Sequence, residues 1–207
     1  MTEPHDAPPA KPRKEEIIDV ATSLFADRGY EGTSMNDVAE RVGMRKASLF
    51  YHFATKDALY EAVLDRLVAG FAIALAHAYT GQGTFAERLD VAAVATTNAL
   101  AAQPHAARLL LREAMDWGPV MRGKLHGAVV DVLEGGAAFV QAGQQAGEFV
   151  DGDPKQLVLT AIGTHFLPFA LGHLVERFVG VAPFDERFVA ARGAAVRRQV
   201  RDMIVKR

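Results

Sequence analysis

Between Arg41 and Lys56 the chain carries four basic side chains, Arg41, Arg45, Lys46 and Lys56, and no acidic one. Thr33 and Ser34 precede this stretch, and Ser48, Tyr51, His52 and Thr55 lie inside it. Guanidinium and ammonium groups bind phosphate oxygens and pair with base edges, and hydroxyls donate to phosphate. Helix starts favour phosphate, because their first N–H groups are unpaired and the dipole points its positive end outward. Thr33 and Ser34 at one predicted helix start, and Thr55 with Lys56 at another, suit that role. Arg45, Lys46 and Ser48 fall at the start of a second short helix, where a recognition helix meets bases. The arrangement points to DNA.

Two short helices and a tight turn must position these residues. Val38, Ala39 and Val42 form the apolar face of the first, and Met44 and Leu49 follow. Ala39 stands four residues before Gly43, so a small side chain lies over the turn and lets the second helix pack close. Gly43 can take the positive φ that ends a helix abruptly. Upstream, Ile17, Val20, Ala21, Leu24 and Phe25 repeat at helical spacing, and Gly29 closes that run. Ser34 with Asp37 reads as a capping box, and Thr55 as the cap of a longer helix from Lys56 to about Tyr79.

The segment Ile17–Val63, with LFADRGYEGTSMNDVAERVGMRKASLFYHFATKDALYEAV, resembles the DNA-binding domain of the TetR/AcrR family of transcriptional regulators. The resemblance covers about a quarter of the chain. It implies phosphate contacts from Thr33, Tyr51, His52 and Lys56, and base contacts from Arg45, Lys46 and Ser48. Packing at the end of the recognition helix is the competing reading of Tyr51 and His52. The family commonly has tyrosine where this chain has Phe50, so one usual phosphate hydrogen bond is missing. The resemblance also implies dimerisation through the last two helices.

Beyond this segment, glycine and proline punctuate helical runs at Gly81–Gly83, Pro104, Gly118-Pro119, Gly152–Pro154 and Gly180–Pro183. Pro168 should kink its helix. The longest uncharged stretch, Gln156–Val175, nears the length of a membrane span but holds Gln156, Thr160, Thr164, His165, Pro168 and His173. A buried bundle helix explains it better. Val189, Val196, Val200 and Met203 make a near-heptad stripe that fits either the protomer's own core or, as the family resemblance favours, a partner subunit. The arginines that share this segment, from Arg192 to Arg207, read as a solvated face.

Composition sets further bounds. The chain has 207 residues, half of them apolar and 23% charged, with no cysteine and a net charge of −2. That suits a globular chain in a reducing cytoplasm, and it confines any DNA contact to a local basic face. Met1–Pro12 holds four of the nine prolines and reads as an arm and not a signal peptide. Enzymatic motifs fail on context. Gly118–Lys124 has P-loop spacing, but Leu125 follows where a magnesium-binding hydroxyl belongs. Gly81–Ala86 copies a dinucleotide pattern after a helix instead of a strand. His105, His126, His165 and His173 read as core histidines, with no metal or cofactor implied. An apolar cavity still needs a few polar anchors, for which His105, Trp117, His165, Phe166 and Phe169 are the candidates.

The expected molecule is all-α. Residues 1–10 form an arm, 11–60 a helix-turn-helix DNA-binding domain, and 61–207 a helical bundle that binds ligand and dimerises. The expected function is a cytoplasmic one-component regulator, most readily a repressor, that binds double-stranded operator DNA as a homodimer. A small hydrophobic or aromatic ligand releases it, and no membrane is involved. A DNA-binding protein of the same fold without a ligand, and a helical-bundle enzyme, are the alternatives.

Overall fold

The computed structural model describes residues 13–116 and 123–207. The N-terminal arm, Trp117 and the break at Gly118-Pro119 lie outside the described residues. These hold ten α-helices and one isolated β-bridge, in two compact units whose boundary falls between Val63 and Leu64.

The first unit begins with α1 (Arg13–Arg28), which buries Ile17, Ala21, Leu24 and Phe25 and leaves Val20 half-buried. Gly29, at φ 76°, ends it. Helix α2 (Met35–Val42) packs on α1 and on α3 (Lys46–His52). The capping box at Ser34 is complete in both directions, and its hydrogen bonds hold the Asp37 carboxyl below the ordinary carboxylate range. Gly43 sits in the left-handed region at φ 69°. Its N–H donates to Glu40 O at 3.0 Å and that of Met44 to Ala39 O at 2.9 Å, which satisfies the last carbonyls of α2. Helix α4 (Lys56–Thr80) starts in this unit, with Thr55 Oγ1 accepting from Ala58 N at 3.0 Å. Tyr60 packs edge-on to Phe25, with ring centroids 4.8 Å apart.

The second unit continues α4 and adds α5 (Phe85–Ala102), α6 (Ala106–Asp116), α7 (Lys124–Gln145), α8 (Pro154–Ala170), α9 (Gly172–Val179) and α10 (Glu186–Ile204). Thr84 and Asp185 cap α5 and α10 with side-chain hydrogen bonds. Helix α10 packs along α5, and α7 along α8. The core joins Leu89 and Ala93 of α5, Phe139 and Val140 of α7, Phe149, and Val196, Val200 and Ile204 of α10. Tyr79 stacks on Phe139 at 4.4 Å. The chain end is tied down where Val150 N donates to Ile204 O and Lys206 N to Glu148 O, both at 2.8 Å.

Three expectations are corrected. The uncharged stretch is not one buried helix, because α8 ends at Ala170 and α9 departs at 82° to it. Pro168 has no N–H for the Thr164 carbonyl four residues earlier. Arg192 of α10 donates to that carbonyl instead, so it does not belong to a purely solvated face. The bent pair leaves Leu167, Leu171, Leu174 and Phe178 exposed, Phe178 by 90%. Conversely, Val196 is 0% exposed and packs with Val200 in the protomer's own core, because α5 covers that face of α10. The stripe is therefore not a free subunit interface.

Candidate functional site

A single fully buried side chain, Leu49, holds α3 in the first unit, while Arg45, Lys46, Ser48, Phe50 and Tyr51 are exposed. No side-chain hydrogen bond caps α3 at Arg45. The Lys46 ammonium lies 5.8 Å from the centre of the Phe50 ring one turn on, a cation–π contact that orients the lysine along the exposed face. Phe50 is 38% exposed and belongs to that face, not to the core. Tyr51 is 88% exposed and touches His52 edge-on at 5.6 Å, so packing does not account for it.

The residues expected to meet phosphate are placed less uniformly. Thr33 is 1% exposed, and its hydroxyl is shared between the carbonyls of Gly29 at 2.9 Å and Leu24 at 3.2 Å. It fastens the end of α1 to the start of α2, and the expectation that it touches phosphate is corrected. Ser34 is exposed, but its hydroxyl is engaged with Asp37, whose carboxylate stands at the same helix end. The Lys56 ammonium donates to Tyr30 O at 3.0 Å, lies 4.0 Å above the Tyr30 ring and stands 4.0 Å from a Glu31 carboxylate oxygen, which together fix its position. The Tyr30 hydroxyl in turn donates to Asp57.

The second unit contains a cavity of about 300 Å³ among α4 to α8 and α10. Val68, Phe71, Leu75 and Tyr79 bring α4 to its wall, and Phe139 and Ile162 close other sides. Of the expected anchors, His165 and Phe166 line it. Phe169 does not: it is buried against Phe184 and Phe188. Nor does His105, which is half-buried at the start of α6 with Nδ1 3.5 Å from Arg108 Nη2. Trp117 lies outside the described residues. Among the histidines read as core, His126 and His173 are exposed, and only His165 is buried. Its Nδ1 stands 2.7 Å from Ala161 O and its Nε2 3.1 Å from Ala93 O. Burial lowers its pKa against those two carbonyls.

Sequence reasoning missed Tyr79. The signal available was the spacing of Val68, Phe71, Leu75 and Tyr79 along one face of α4. Burial pushes the Tyr79 phenol up to about 12. Among the described residues no group of three or more His, Asp or Glu side chains could hold a metal ion. No single helix there is long and apolar enough to cross a membrane.

Residues 17–63 match the family described as bacterial regulatory proteins, tetR family. The chain is 50% identical over 48 residues to the biofilm operon icaADBC HTH-type negative transcriptional regulator IcaR of Staphylococcus aureus, 23% of this chain. It spans only about a quarter of that relative, 26% of its length. It is 28% identical over 183 residues to the HTH-type transcriptional regulator RutR of Escherichia coli O157:H7, covering 85% of this chain and 82% of that one. Among solved structures, the ketosteroid transcriptional regulator KstR2 of Mycobacterium tuberculosis superposes with a TM-score of 0.79 at 18% identity, over 98% of this chain and 100% of that one. AibR, solved with isovaleryl coenzyme A and operator DNA, superposes at 0.73 and 18% identity, over 91% and 97%. At such identities these likenesses establish the fold alone.

Proposed function

We propose that this chain is a cytoplasmic one-component repressor of the TetR family of bacterial transcriptional regulators, the family its residues 17–63 match. In this reading it binds operator DNA as a homodimer and leaves it when a small hydrophobic molecule fills the cavity of its second unit. The observation that carries the reading is the exposed face of α3. One buried leucine suffices to seat the helix, and its other side chains are free to meet a groove. Arg45, Lys46 and Ser48 read bases, and Tyr51, His52, Ser34 and Lys56 position the backbone. Repression is favoured by the name of the Staphylococcus relative, a negative regulator, and ligand control by AibR, which holds both an acyl thioester and operator DNA.

The dimer forms through Leu167, Leu171, Leu174 and Phe178 on α8, α9 and the bend between them, apolar side chains that a second copy would remove from water. Ligand control acts by population shift. Helix α4 supplies cavity wall in the second unit and Leu59, Tyr60 and Val63 to the core of the first, so ligand contact biases a helix that both units share. Titration of the protein with DNA from its own promoter, across salt, tests the reading. Specific binding should fall steeply with salt and exceed binding to unrelated DNA by about 10³-fold or more. Equal affinity for all DNA would overturn it.

A further inference from the structure

We propose that the cavity takes a neutral, largely apolar molecule carrying a hydrogen-bond acceptor, and that the Tyr79 hydroxyl is the donor that fixes it. The inference rests on the cavity being the effector site. The hydrogen-bonding side chains on its described wall are Tyr79, Thr96 and His165. Two of these are already engaged. Thr96 Oγ1 donates to Ala92 O at 2.9 Å, and both ring nitrogens of His165 face backbone carbonyls. The Tyr79 hydroxyl has no hydrogen-bond partner among the described residues, although its ring is stacked on Phe139 and largely enclosed. A group in that position is ordinarily satisfied. The neutral phenol carries a proton it can donate, and an acceptor on the ligand would pair it.

Tyr79 also stands where a ligand would pass. It lines both the cavity and an open groove between α4 and α7, together with Val68, Leu75 and Val132. A Cβ on Gly136 of α7 would lie 3.5 Å from the tyrosine oxygen, so this glycine leaves room beside the hydroxyl. The groove is otherwise walled by alanines and by Asp65 and Asp131. No charged side chain lines the cavity among the described residues. Inside the cavity an anion would lose its hydration without a counter-charge. The site therefore differs in kind from one that takes a free carboxylate.

Benzophenone, diphenylmethane and diphenylacetate share a two-ring frame and differ in a carbonyl, a methylene and a carboxylate. Displacement of the neutral dye Nile red by each, from wild-type protein and Tyr79→Phe, tests the proposal. Benzophenone should bind roughly threefold to tenfold tighter than diphenylmethane in the wild type. Tyr79→Phe should abolish that difference while leaving diphenylmethane unchanged, and diphenylacetate should not compete. The variant loses one oxygen and keeps the stacked ring, and an unchanged circular dichroism spectrum would show that it folds. A ketone preference that survives Tyr79→Phe, probes bound without preference, or diphenylacetate bound as tightly as benzophenone would overturn the Tyr79 assignment and leave the effector site standing. Failure of the dye and all three probes to bind would remove the effector site and this inference with it.

Discussion

At the scale of single residues, the recognition face depends on which side chains are held and which are offered. Lys46 leans on Phe50 and points along exposed α3, whereas Lys56 is seated on Tyr30. A lysine that reads a base and one that meets phosphate should fail differently. Lys46→Ala should cost roughly 1–3 kcal/mol of specific binding and relax preference at one position of each half-site. Lys56→Ala should weaken binding evenly across sequences and flatten its salt slope, both measurable by anisotropy at several salt concentrations. Phe50 carries a second prediction. Because its ring already lies on the exposed face, Phe50→Tyr adds a donor without disturbing the core. Affinity should rise by up to about 1.5 kcal/mol with sequence preference unchanged, as a gel-shift series would show. Unchanged affinity would mean that the hydroxyl reaches no phosphate.

At the scale of elements, the end of α8 shows how one residue's defect becomes another's role. Pro168 orphans the Thr164 carbonyl, and Arg192 reaches from α10 to satisfy it. Arg192→Ala should therefore cost about 1–3 kcal/mol of stability, the penalty of a partly buried unpaired acceptor. In a Pro168→Ala background the backbone N–H returns, and the same arginine change should cost less. A double-mutant cycle by urea unfolding measures the difference, and strict additivity would rule out the shared carbonyl as the reason. The caps of α2 and α5 are simpler devices. Ser34 and Thr84 each close a reciprocal box with an acid three residues on, and each depresses that acid's pKa. Their contribution is complete above the ordinary carboxylate range and is lost as pH falls through the depressed values.

At the scale of the whole molecule, two apolar surfaces that look alike in sequence have opposite fates. Val196 and Val200 are core, whereas Leu174 and Phe178 are open. Val196→Glu would bury an unpaired charge and should cost about 4 kcal/mol or more, so the protomer itself should fail to fold by circular dichroism. Phe178→Glu should leave the protomer folded but weaken self-association at least about tenfold by sedimentation, and operator affinity with it. A Phe178→Glu protein that stays fully dimeric would place the subunit interface elsewhere.

What the sequence determined by itself is what short-range chemistry decides. The box at Ser34 and Asp37, the left-handed Gly43, the small Ala39 over the turn and the basic run to Lys56 each involve partners within one or two helical turns, where spacing is geometry. The helix-turn-helix was legible for that reason, and with it the residues exposed on α3. Tertiary structure decided what covers each apolar face. Helical period marks Val196 and Leu174 equally, and only the packing of α5 on α10 and the bend at Leu171 separate them. It decided, too, that the Thr33 hydroxyl turns inward to Leu24 and Gly29, and that His165 lines the cavity while Phe169 does not. Tyr79 is the sharpest case: its spacing with Val68, Phe71 and Leu75 marks a shared helix face but not what that face lines. Its hydroxyl becomes a candidate ligand donor only because the wall around it, drawn from helices α4 to α8 and α10, leaves a space there without a partner.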